Sequence, residues 1–114
     1  MEFDYSSMKP FAFNVEILSL PENRQAKPGT RGYANVIAFS ESMESAHKLA
    51  FNFLTKQGWK PISVELAFEI LGGPPHDDPE LKRVYDQAKI DGVAAEYAIV
   101  GRERLGLGQN SSRN

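Results

Sequence analysis

Residues 59–71 read WKPISVELAFEIL, and their alternation decides the fold. Ile62, Val64, Leu66, Phe68 and Ile70 share one parity, while Ser63, Glu65, Ala67 and Glu69 share the other. Period two is the mark of a strand whose two faces meet different surroundings. Burying Glu65 and Glu69 beneath a helix without partners would be costly. The strand therefore predicts a sheet with one face covered by helices and one face open.

The segments before it supply a hairpin and a helix. In residues 11–20, Phe11, Phe13, Val15 and Ile17 alternate with Ala12, Asn14 and Glu16. Residues 21–31, PENRQAKPGTR, are turn chemistry. Residues 32–39 form a second strand, with Tyr33, Ile37 and Phe39 carrying the bulk and Ala34, Val36 and Ala38 small. Ser40 or Ser42 caps a helix that runs to about Gln57 and stops at Gly58. Its apolar stripe is Met43, Ala46, Ala50, Phe53 and Leu54.

After the deciding strand comes a stiff turn, residues 72–78. Asp78 then caps a second helix with Pro79 at its first position. Leu81, Val84, Tyr85 and Ala88 form its stripe, and Asp91-Gly92 ends it. Residues 93–100 alternate again as a last strand. The order is β-β-α-β-α-β. The fold class expected is α+β: a two-layer sandwich, with a four-stranded, mostly antiparallel sheet and both helices on one face. The layering is ferredoxin-like in style, although the element order is not the usual one. Residues 1–10 read as an N-terminal arm, 11–101 as a single domain and 102–114 as a flexible tail.

Composition narrows the function classes. The chain has 114 residues and a mass of 12.7 kDa, the size of one domain. Thirteen basic and fifteen acidic side chains leave a net charge of −2, which argues against a surface built for nucleic acid. There is no cysteine, so disulfides, iron–sulfur clusters and thiol catalysis are excluded. No apolar run approaches the ~18 residues of a membrane span, and the start lacks a secretion pattern. A cytoplasmic protein is expected, and no cofactor is implied.

On the expected open face lie Ala12, Asn14, Glu16, Ala34, Val36, Ala38, Ser63, Glu65, Ala67, Glu69, Ala94, Glu96 and Ala98. Strands disfavour alanine unless packing rewards it. Small residues there admit a close neighbour, so Ala34, Val36, Ala38, Glu65, Ala67, Ala94, Glu96 and Ala98 are the interface candidates for a homodimer. An ordinary solvated face is the plain alternative.

Other clusters carry weaker chemistry. Arg24, Lys27 and Arg31, with Tyr33 just beyond, could grip a small anion, or simply solvate a hairpin tip. His76, Asp77 and Asp78 are metal-ligand types, but adjacent residues rarely converge on one ion and Asp78 already caps a helix. His47 beside the first helix's stripe is either a base or a boundary histidine. Glu16, Glu65, Glu69 and Glu96 could form an acid–base pair or keep a face soluble. Trp59 reads as a plug at the end of the first helix.

The function expected is a small binding or interaction module working as a homodimer, with an unidentified protein or a small anion as further partner. A small enzyme with an acid–base or weak metal site near the His76–Asp78 loop is one alternative. An accessory subunit of a larger assembly is another.

Overall fold

In the computed structural model of the chain, residues 7–100 are described. The elements are β1 (Lys9–Ser19), β2 (Arg31–Ser40), α1 (Met43–Lys56), β3 (Trp59–Glu69), α2 (Pro79–Asp91) and β4 (Val93–Ile99). The expected arm lies outside the described residues through position 6, and its last two residues open β1. The expected tail, 102–114, also lies outside them.

The α+β class and the element order agree with the sequence reading. The sheet is antiparallel throughout, in the order β3-β1-β2-β4. Both helix caps are where the residues put them. Ser42 accepts from the Ser45 amide at the head of α1. Asp78 accepts from the amides of Glu80 and Leu81 at the head of α2. Gly58, at φ +91°, closes α1 against Asn23 of the β1–β2 loop, where a Cβ would come within 2.7 Å of the Asn23 Cα.

The helices lie on opposite faces, which corrects the expectation of one shared face. Phe13 pairs with Val36 and Phe11 with Ala38, and these side chains form one core with Ala46, Ala50 and Leu54 of α1. Ala12 pairs with Ile37, which pairs with Ala94, and these form a second core with Val84, Tyr85 and Ala88 of α2. The α+β sandwich stays consistent with a ferredoxin-like style of layering, with the difference that α2 covers the second face.

The physical reason lies in strand direction. β2 and β3 both run against β1, so they are parallel and α1 is a crossover between parallel strands. β4 runs against β2, and therefore against β3, at the far edge. The handedness rule governs parallel crossovers only, so it assigns α2 no face. α2 settles over β2 and β4, away from Glu65, and the burial cost that favoured an open face never arises.

The hairpin register also moves the alanines. Partners in β1 and β2 have opposite parity, so Ala34, Val36 and Ala38 share a face with Phe11, Phe13 and Val15. All three are fully buried in the α1 core. Their smallness lets the alanines of α1 approach closely. They are core residues, and an interface through them is excluded in this fold.

β3 departs furthest from its simple alternation. Val64 pairs with Val15 and Leu66 with Asn14, which leaves Glu65 as an extra residue, and Ile62 is left over in the same way between Pro61 and Ser63. Each bulge shifts the parity by one. Val64 therefore packs in the α1 core, whereas Leu66 and Phe68 project from the second face and are exposed.

Candidate interaction surface

α2 covers only one end of the second face. The rest carries a polar row built by the register. Asn14 and Asn35 are direct partners across β1 and β2, and Asn35 faces Glu96 of β4. The Asn14 Nδ2 donates to Asn35 Oδ1 at 2.8 Å, and the Asn35 Nδ2 donates to Glu96 Oε2 at 3.3 Å. Towards β3, the Ser63 hydroxyl donates to Glu16, which also pairs with Arg31. A cavity of about 210 Å³ opens between this row and the head of α2. Asn14 and Asn35 line it with Ala12, Leu66, Phe68, Asp78 and Leu81. It thus has amides on one side and apolar walls on the other, the usual make-up of a binding groove.

β3 pairs with β1 alone among the described residues, so its other side is a free edge. Native edges are commonly blunted by bulges, proline and charge. Here Pro61 and the two bulges fall in the first half of the strand. The rest of the strand, residues 66–69, keeps unbroken register with β1. Ile70 donates its amide to the Pro10 carbonyl, which turns the backbones of Phe68 and Leu66 towards β1. The N–H and C=O of Ala67 and Glu69 then face outward. Leu66 and Phe68 are exposed on the same stretch, and Leu71 follows at 79% exposure.

The candidates named from sequence are mostly kept apart. Arg24 lines a second cavity, of about 280 Å³, with Lys56, Gln57, Glu22 and Gln25 at the end of α1. Arg31 is on the second face with Glu16, near Tyr33, while Lys27 is exposed on the loop and lends its carbonyl to Ser19 and Thr30. His47 sits half-buried between Phe13 and Phe51, with ring centroids 5.9 and 4.2 Å away. His76 and Asp77 are exposed beside the capping Asp78. No three His, Asp or Glu side chains gather to hold a metal ion among the described residues. Of the interface candidates, Ala94 is buried under α2, Glu96 is half-buried, and Glu65, Ala67 and Ala98 remain exposed.

Sequence reasoning missed three features. The Asn14–Asn35 pair was findable from the hairpin register, since the loop length sets which residues meet. Exposure of Leu66 and Phe68 was not, because their alternation is that of a core strand. Pro61 was the one local sign of an edge. The third feature is inside the α1 core, where Trp59 and Tyr97 stack at 5.3 Å. The Trp59 Nε1 and the Tyr97 hydroxyl are both buried without a hydrogen-bond partner. Neither cavity reaches them.

Burial pushes the Tyr97 hydroxyl up to about 12. A raised folded-state value favours the neutral phenol, so its contribution to stability is complete below the ordinary value near ~10 and is lost as pH rises towards 12. Tyr97→Phe removes an unsatisfied buried hydroxyl, so it is expected to hold or raise stability at neutral pH, by up to about 1 kcal/mol. Urea unfolding at pH 7 and across pH 9–11 checks this: the wild type should lose more stability than the variant over the alkaline range.

Comparison with family models, with curated proteins and with solved structures finds no match to this chain.

Proposed function

We propose that this chain is a small interaction module that takes up an extended segment of a partner protein along the free edge of β3. The observation that carries this is the second half of that edge, which has neither bulge nor proline and carries charge at Glu69 alone. It offers outward backbone groups between exposed apolar side chains, beside a groove lined by amides. Strand addition uses those parts together, with backbone hydrogen bonds for affinity and alternate side chains for specificity. A cytoplasmic setting goes with the proposal, since the chain has no cysteine for an oxidising compartment to pair.

A second copy of the chain is the other reading, as a homodimer through the same edge. Exposed Ile62 and Leu71 favour it, because they extend the apolar strip beyond the groove. An accessory subunit would use the edge too, with a permanent partner.

The test is a display library of random extended peptides screened against the full chain. The module reading expects an enriched set that is lost with Leu66→Lys and Phe68→Lys together and kept with Asp86→Ala on exposed α2. Absence of enrichment, or enrichment indifferent to the β3 changes, contradicts it. Light scattering across concentrations separates the homodimer: a mass near twice 12.7 kDa that falls to 12.7 kDa with Leu66→Lys and Phe68→Lys together means that a second copy holds the edge.

A further inference from the structure

We propose that the segment accepted by β3 alternates apolar and basic side chains. This rests on the strand-addition reading and names the chemistry of the partner. Side chains of an added strand fall on the two faces in step with those of β3. On the second face they meet Leu66 and Phe68 and the mouth of the adjoining cavity, so that row is apolar. On the α1 side they meet exposed Ala67 and half-buried Glu69.

Glu69 forms no ion pair among the described residues, although Lys9 is diagonal to it across β1. Two further carboxylates lie near this stretch, Glu65 with the Ser63 hydroxyl and Asp78 with the amides of Glu80 and Leu81. Glu65 is exposed beside Leu66, and Asp78 lines the cavity. Arg31 is already held by Glu16. A basic residue opposite Glu69 meets an unpaired carboxylate, while an acidic one is repelled.

The same charges disfavour a second copy. Antiparallel self-pairing centred on Ala67 sets Glu65 opposite Glu69 of the other strand. Centring it on Phe68 sets Glu69 diagonal to Glu65 and Glu69 of the other strand. Like charges at these positions destabilise a pair of strands.

Three labelled peptides of about eight residues test the proposal, by fluorescence anisotropy with the full chain at ~0.15 M salt, where only close charges count. One alternates leucine and lysine, one alternates leucine and glutamate, and one has the lysine peptide's composition in two blocks. The alternating lysine peptide is expected to bind about ten-fold more tightly than either of the others. Glu69→Lys is expected to reverse the order of the two alternating peptides; the position is half-buried on the edge strand, so an unfolding midpoint within a few degrees of the wild type's checks that the fold is kept. Equal binding of the two alternating peptides, or an order unmoved by Glu69→Lys, overturns the charge assignment and leaves strand addition standing. If no peptide binds, both readings fall together.

Discussion

Replacing Trp59 with alanine is expected to remove about 3–5 kcal/mol of folding stability, as loss of a large buried aromatic does. Trp59 is fully buried at the start of β3 and is the largest side chain in the core. Its indole stacks on Tyr97, which comes from the opposite edge strand. The pair therefore spans the sheet beneath α1 and ties both edges to one core. A chain of this size has about 5–15 kcal/mol in all, so the variant should be near its unfolding threshold. Trp59→Phe is the control. It keeps most of the apolar area and removes the unpartnered Nε1, so it is expected to lose well under half as much. Urea unfolding of the three proteins measures both. Similar losses for alanine and phenylalanine would mean that the indole nitrogen has a partner and that the stack contributes little.

Ala38→Glu is expected to prevent folding, because it sets a carboxylate into the α1 core. Ala38 is fully buried. An unpaired charge there costs several kcal/mol, or is neutralised at similar cost. On an open, alanine-rich face the same change would be harmless, so this variant separates the observed register from the simple one. Ala98→Glu is the matched control, since Ala98 is exposed, and it is expected to stay within about 0.5 kcal/mol of the wild type. Circular dichroism and soluble yield read the first result, and thermal unfolding reads the second. A folded Ala38→Glu protein would contradict the placement of α1.

Local chemistry was legible in the sequence wherever one residue suffices to state it. Ser42, Asp78, Pro79 and Gly58 mark helix ends in this chain as they do elsewhere. What stayed hidden depends on pairing. The side on which Ala34, Val36 and Ala38 lie is fixed by which β1 residue each opposes, and a shift of one position exchanges the faces. Glu65 and Ile62 are extra residues in β3 that keep a perfect period in the sequence while breaking it in space. The face taken by α2 is left open because β4 runs against β3, where the handedness rule does not apply, and no stretch of local sequence encodes that direction. The exposed apolar strip on β3 was hidden for the same reason. Leu66 and Phe68 look like core residues until the bulge at Glu65 turns them outward.

Uptake of a partner strand requires that the outer edge of β3 be open. Residue-resolved amide hydrogen exchange on the free chain tests it most directly. Fast exchange is expected at Ala67 and Glu69, with protection at the intervening Phe68 and at Ile70, whose amides point to β1. Protection at Ala67 and Glu69 equal to that of Phe68 would show the edge already covered, and the strand-addition reading would fail.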